Sequence, residues 1–386
     1  MLISAFAFSQ WAVLKSGTTY PLISVYFTDA NNGYVVGGVG IILKTTDGGT
    51  NWIFQTSGTS NYITSVIFPS TNTGYAVGTL GTILKTTNGG TNWITQTSGT
   101  INSLYSVYFT DTNTGYAVGD TGTILKTTNG GIYWKSQTSG TINWLNSVYC
   151  TDANTAYAVG DTGTILKTTN GGTNWASQTS GTSDWFSSVF FTDTNTGYAV
   201  GESGIIIKTT NGGINWKALT ITINNYYLFS VYFIDSNTGY AVGQSNTILK
   251  TTNGGMNWIS QPNETGNLFL SVFFSDVDTG YVVGEPGVIL KTTNGGSAFV
   301  KENLISESSY KLYPNPSNST VNIVNNGALQ KEMIVSIFNI QGEEVLSKTF
   351  NYKNSMDIDV STLVNGIYMV KIQTEKGLAV KKLVIQ

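Results

Sequence analysis

The chain has 386 residues, carries a formal net charge of −3, and only 11 % of its residues are charged, against about a quarter in an average soluble protein. Its 19 basic residues are all lysine, scattered rather than clustered, with no histidine and no arginine, which excludes a basic footprint for nucleic acid, the usual imidazole base and ligand and the bidentate guanidinium clamp. One cysteine, Cys150, allows neither an intrachain disulfide nor a thiolate zinc site, so no metal and no cofactor are expected.

In chain order, MLISAFAFSQ is apolar up to Ser9 and resembles the end of a secretory signal peptide without its basic part, so residues 1–9 are read as a remnant of one. No other stretch approaches ~18 consecutive apolar residues, and no transmembrane span is expected. From residue 10 to residue 299 one unit repeats. KTTDGG begins at Lys44 and KTTNGG at Lys85, Lys126, Lys167, Lys208, Lys250 and Lys291, a spacing of 41 residues with a single step of 42. That is a propeller period.

Each unit reads as four short strands, such as SVYF (106–109), GYAVG (115–119), TILKTT (123–128) and a fourth beginning at a tryptophan. The stretches between them, DTNTG, DTG and NGG, are turn sequences. The prediction is an all-β chain with a seven-bladed β-propeller, whose radial sheets hide most of their edges. Tryptophans recur at Trp11, Trp52, Trp93, Trp134, Trp175, Trp216 and Trp258, with Phe299 in register, which is one outer strand too many. The strand Trp11–Lys15 is therefore expected to complete the last blade, and the chain after Gly296 to leave the ring.

The side chains that recur with the repeat are expected to be structural. Asp47, Asn88, Asn129, Asn170, Asn211, Asn253 and Asn294 would satisfy backbone donors in the NGG turn, while Trp52, Trp93, Trp134, Trp175, Trp216 and Trp258 pack between blades. Asp29, Asp111, Asp152, Asp193, Asp235 and Asp276 each open the turn between the first two strands, where Asx bonding is expected, and Asp111 can also reach Lys126. Their spacing lacks the later bidentate glutamate of a calcium loop. Cys150 stands where other units have phenylalanine, which makes it a core residue.

The segment Thr45, Asp47, Gly49, Trp52 resembles the Asp box of bacterial neuraminidase-type repeats, and the whole unit, with GYAVG and KTTNGG, resembles the repeats of the photosystem II assembly and stability factor family over roughly residues 11–299. The resemblance implies the propeller fold. Sialidases of the Asp-box type use an arginine cluster that this chain lacks, and another glycosidase would need two convergent carboxylates, so no enzymatic activity is expected.

Strand alternation puts the NGG and DTNTG turns at one end of the ring and the interblade loops with the DTG hairpins at the other. Tyr62, Tyr105, Trp144, Trp185 and Tyr227, with Asp120, Asp161, Glu202 and Glu285, would give that second face aromatic rings and an acidic rim, a candidate binding surface for protein or glycan.

After a polar linker, 300–309, the 41-residue period ends. Residues 310–386 read as short strands at 321–325, 334–339, 343–350, 356–361, 366–374 and 380–385, a small antiparallel sandwich. YPNPSNSTVNI, VSIFNIQGEEV, LVNGIYMVKI and the terminal KLVIQ resemble the type A sorting domain of the type IX secretion system. This resemblance implies a Gram-negative host of the Bacteroidetes type, passage through the outer-membrane translocon, display on the surface or release, and no expected photosystem role. Lys371, Lys376, Lys381 and Lys382 are candidates for docking there. Taken together, a secreted or surface-bound monomeric binding module is expected, with a passive surface-layer propeller or a glycoside hydrolase as the alternatives.

Overall fold

The structure is a computed structural model and describes residues 11–219, 226–263, 265–296, 310–326, 331–339, 344–351, 353–374 and 377–386. The signal-like residues 1–9, Phe299, the linker 300–309 and Lys376 lie outside the described residues. The chain divides into two compact units between residues 298 and 299.

In the first unit, seven four-stranded antiparallel sheets follow one another. Blade 3 sets the pattern with strands Leu104–Phe109, Gly115–Gly119, Thr123–Thr127 and Lys135–Gln137, each bonded to the next in chain order. The second strand is buried along its whole length because blades cover both its faces. Its end glycines meet close neighbours, since a Cβ on Gly115 would strike the Phe109 ring and one on Gly119 the Ser103 carbonyl oxygen, while Tyr116 and Val118 fill the layers between blades. One apolar layer fills each gap between neighbouring blades. Tyr75, Val77 and Ile83 of blade 2, for example, pack on Leu104, Val107, Phe109, Ala117, Leu125 and Trp134 of blade 3.

The ring is closed by the chain's N-terminal part. Ala12–Leu14 pairs antiparallel with Val288–Thr293, Ala12 opposite Lys291 and Leu14 opposite Ile289, and so supplies the outer strand of blade 7. Trp11 is 2 % exposed in the layer between blades 6 and 7, edge-on to Tyr240 and Phe274 at 6.5 and 6.0 Å.

Blade 4 shows how closely the layers are fitted. In the other blades a phenylalanine at the place of Cys150 lies over a glycine; a Cβ on Gly115 would meet the Phe109 ring at 2.7 Å. Blade 4 instead pairs Cys150 with Ala156. The smaller sulfur makes room for the methyl, and burial pushes the Cys150 thiol well above its ordinary range, so this thiol is a packing group.

The NGG turns bind each blade to its neighbour. In the first of them the Thr45 hydroxyl donates to Asp47 Oδ1 (2.8 Å) and accepts from the Gly49 N–H (2.9 Å). The same Asp47 oxygen accepts the Asn51 N–H at 2.9 Å. Across the blade boundary, Gly89 O accepts from both Lys44 Nζ (2.6 Å) and Tyr34 Oη (2.7 Å), with the ammonium 5.6 Å from the Tyr34 ring centroid. The expected pairing of Asp111 with Lys126 is corrected here. Lys126 Nζ reaches Gly171 O in the next blade (2.5 Å), while Asp111 Oδ1 takes the N–H groups of Asn113 and Thr114.

Three donors, first the Asn51 N–H, then its side-chain amide and the Thr45 hydroxyl, hold Asp47 at about 2, below the ordinary 3.8. A folded-state value below the unfolded one contributes stability above pH 3.8 that disappears as the pH falls through about 2. Asp47→Asn keeps the Oδ1 acceptor and removes the charge. Thermal unfolding of both proteins from about pH 7 down to about pH 2 is expected to show a shallower acid decline in the variant, whose midpoint starts slightly lower at neutral pH.

The second unit pairs a three-stranded sheet, Tyr310–Tyr313, Thr320–Asn325 and Ser355–Asp359, with a four-stranded one in the order Glu344–Phe350, Met333–Phe338, Gly366–Thr374, Gly377–Ile385. A shared core including Val321, Ile323, Val335, Ile337, Val370, Ile372 and Leu383 lies between them. Tyr310–Tyr313 is a strand that the sequence pattern did not suggest. Two distant sequence motifs meet in this unit, since Asn315 Nδ2 donates to Lys382 O (2.7 Å) and Val384 N donates to Asn315 Oδ1 (2.9 Å). Lys371, Lys381 and Lys382 lie on the last two strands.

Candidate functional site

The first strand of each blade lies beside the propeller axis, and all seven carry the same irregularity. Pairing with the second strand skips one residue, between Leu104 and Ser106 in blade 3 and at the equivalent point in every other blade. Such a bulge leaves one residue unpaired and turns its side chain. The skipped residues are Ile23, Thr64, Tyr105, Asn146, Ser187, Phe229 and Leu270, and all seven line one cavity of about 430 Å³ at the mouth of the channel.

The residue after each bulge is serine, and it joins the blades in a closed circuit. Ser24 Oγ accepts from Val66 N and Ser65 from Val107, then Ser106, Ser147, Ser188 and Ser230 repeat the contact. Ser271 then accepts from Val25 and completes the ring (3.4 Å). Two residues further on, an aromatic collar surrounds the axis. Tyr108, Tyr149, Phe190, Tyr232, Phe273 and Tyr26 follow one another with centroids 4.7–5.2 Å apart, and Ile67 occupies the remaining place. The cavity is thus a funnel ringed by the seven bulge residues, with the aromatic collar two residues further along the same inner strands.

One side of the funnel is built higher than the other. Trp144, Trp185 and Tyr227, from the loops leading into blades 4, 5 and 6, join its lining together with Asp161. Trp144 and Trp185 are 46 % and 45 % exposed, which marks rings that folding does not need to bury. Their backbones are nevertheless pinned. Trp144 O accepts from Asp161 N (3.0 Å) and Trp185 O from Glu202 N (2.8 Å), so each acid fixes the aromatic residue beside it.

The acid side chains serve the same wall. Asp120 accepts a short hydrogen bond from Tyr105 Oη and a second from Ser103 N. Asn146 Nδ2 donates to Asp161 Oδ1 (3.0 Å). Glu202 Oε1 accepts from Tyr227 Oη (2.8 Å) and Oε2 from Trp185 N (3.3 Å). Burial first, then the Asp120 bond, raises the Tyr105 hydroxyl well above its usual range, and the Glu202 bond first, then burial, raises that of Tyr227. Both phenols therefore remain protonated donors throughout the physiological range.

Of the residues proposed from sequence, Tyr105, Trp144, Trp185, Tyr227 and Asp161 line the funnel, while Asp120 and Glu202 stand immediately behind its tyrosines. Tyr62 and Glu285 are not part of the lining. Tyr62 belongs to the loop before blade 2, where its N–H reaches Thr79 Oγ1, and Glu285 ends a strand of blade 7 opposite Leu268. Of the acids, Asp120 and Glu202 are bonded to the aromatic wall and Asp161 to Asn146. Sequence reasoning passed over Ile23, Thr64, Asn146, Ser187, Phe229 and Leu270. Their signal was present: between a buried apolar position and an invariant Ser-Val pair, the seven blades carry seven different residues.

Among the described residues, no group of three or more His, Cys, Asp or Glu converges as a metal site, and no helix is long and apolar enough to cross a membrane.

The repeats match the family model of the photosynthesis system II assembly factor YCF48 at residues 3–98, 56–131, 95–176, 137–226 and 212–340. The chain belongs to the YCF48 family. Residues 311–386 match the secretion system C-terminal sorting domain, so this YCF48-type propeller carries a secretion tail. Among solved structures, YCF48 bound to D1 peptide is 20 % identical with a TM-score of 0.65, covering 76 % of this chain and 99 % of that one. YCF48 from Cyanidioschyzon merolae is 22 % identical with a TM-score of 0.64, covering 73 % and 98 %. The extracellular domain of the putative one component system BT4673 from B. thetaiotaomicron is 11 % identical with a TM-score of 0.60, covering 98 % of this chain and 60 % of that one. At these identities the likeness carries the fold alone. No curated protein sequence matches the chain.

Proposed function

We propose that the chain is a secreted or surface-displayed, non-catalytic binding module of a Bacteroidetes-type bacterium, exported by the type IX system through residues 310–386, and that its funnel holds a segment of a partner protein. The observation that carries this reading is the bulged ring. Where folding dictates the residue the blades repeat, and at the one inner-strand position aimed into the cavity each blade differs.

A protein segment suits the funnel better than a glycan. Its wall is largely apolar and aromatic, with Ile23, Phe229 and Leu270 in the lining alongside the tryptophans, and its carboxylates are already engaged by tyrosine and asparagine donors, leaving few free groups to read sugar hydroxyls. YCF48, a propeller of the same family, has been solved bound to D1 peptide, which supports this reading. The regularity of the outer blades favours a passive surface-layer propeller instead, and that reading leaves the funnel's asymmetry without a purpose.

The test is capture of surface and secreted proteins by the full chain, compared with Trp144→Ala/Trp185→Ala. Both rings are about half exposed, so the variant should fold with an unchanged unfolding midpoint. Aromatic anchors of this kind contribute about 2 kcal/mol or more each, about 30-fold per ring, so a loss of affinity approaching about 1,000-fold is expected for the double variant. Undiminished capture by the double variant would remove the funnel from recognition.

A further inference from the structure

We propose that the funnel is a receptor for a cationic side chain, lysine or arginine, presented by the bound protein segment. The inference rests on the reading that the funnel binds protein, and it names the chemistry by which it does so.

Four aromatic residues on consecutive blades, Tyr105, Trp144, Trp185 and Tyr227, form one wall. Aromatic faces attract a cation held within about 6 Å, tryptophan most strongly. Here the attraction is reinforced from behind. Tyr105 and Tyr227 donate their phenolic protons to Asp120 and Glu202, and a phenol hydrogen-bonded to a carboxylate is richer in ring electrons than a free one. Between them Asp161 lines the cavity directly.

Among the described residues, no cation competes for this place. The repeat lysines Lys44, Lys85, Lys126, Lys167, Lys208, Lys250 and Lys291 all direct their ammonium groups to glycine carbonyls in the NGG turns at the other end of the ring. None of the described lysines lines the funnel. The charges that act on Tyr105 are those of Asp120 and Asp161, and on Tyr227 those of Glu202 and Asp184, all negative. Ile23, Phe229 and Leu270 also line the cavity and offer apolar surface to the methylene stem of a long basic side chain. An anionic segment would meet three carboxylates with nothing to neutralise it.

The probes are Nα-acetyl-arginine amide, Nα-acetyl-lysine amide and, as the neutral shape match, Nα-acetyl-citrulline amide, titrated into the full chain by calorimetry and tryptophan fluorescence. The cationic probes are expected to bind at about 1 mM, about fivefold or more tighter than citrulline, and more weakly as salt is raised. Asp161→Asn and Trp185→Ala should each reduce that preference, while Glu285→Gln, an acid outside the lining, should not. Equal binding of arginine and citrulline, or an unchanged preference in Asp161→Asn, overturns the inference. If no probe binds but the double tryptophan variant still loses protein capture, the cation inference falls and the binding function stands; if capture is also unaffected, both fall.

Discussion

Gly201→Ala is expected to destabilise the propeller by about 3 kcal/mol or more, the upper range for forcing a group into a packed interior. Gly201 ends the second strand of blade 5, and a Cβ there would lie 1.8 Å from Trp185 O, with the adjoining carbonyl carbon at 2.8 Å. The obstruction is backbone, so no side-chain rotation relieves it. Relief requires the loop to lift, which breaks the Glu202 N to Trp185 O hydrogen bond and moves the Trp185 ring out of the funnel wall. The variant should therefore show a lower urea midpoint and, in the fraction that folds, a tryptophan emission shifted toward that of solvent-exposed indole. A midpoint within about 0.5 kcal/mol of the parent, the range of ordinary surface changes, would show that the loop is not held as described.

Trp11→Ala should cost about 3–5 kcal/mol, the usual range for truncating a buried tryptophan. The indole fills the layer between blades 6 and 7 among Tyr240, Val242, Phe269, Phe274 and Leu290, and it anchors the three-residue strand that completes blade 7. That strand has little else to hold it, as Ala12 and Val13 are exposed and only Leu14 turns partly inward. Ser16 adds one bond, from Oγ to Gly287 O at 2.5 Å. With the anchor gone, Val288–Thr293 becomes an open sheet edge, a template for pairing with another chain. Unfolding should lose its cooperativity, and light scattering should rise with protein concentration. A single sharp transition with no association would mean that the ring closes without this strand.

The propeller was legible because its sequence repeats the physical solution seven times: glycines where blades meet, a turn sequence at each strand end, one tryptophan per layer. Closure by Ala12–Leu14 followed from counting tryptophans against blades. The tryptophans of the funnel were legible too, since Trp144 and Trp185 interrupt a loop position otherwise held by varied residues. The direction in which the bulge residues point was hidden, although their variation from blade to blade was not. Alternation along Leu104–Phe109 assigns Tyr105 and its equivalents to one face of the blade, and the extra residue turns them to the axis instead. The partner of the repeat lysine was hidden for another reason: Lys126 reaches a carbonyl 45 residues away, a proximity created by the curvature of the ring. Cys150 was recognised as packing, but its compensation by Ala156 shows only when the two are seen face to face. In the tail, Tyr310–Tyr313 is too short and polar to stand out from the linker before it.

The closure of the ring also sets an order of events. Within blades 1 to 6 every partner is supplied by the same or the adjoining unit, so those blades can be added one at a time at small entropic cost. The joint between blade 7 and blade 1 is different, for Ser271 meets Val25 across 246 residues, Lys291 meets Gly48 across 243, and Ser16 meets Gly287 across 271. Loop-closure entropy and the slow search for distant partners place such contacts at the end of folding. A chain threaded through a membrane would accordingly remain an open, curved stack until both ends of the propeller had emerged on the same side, and the funnel, which needs all seven inner strands, would come into being only with that final step.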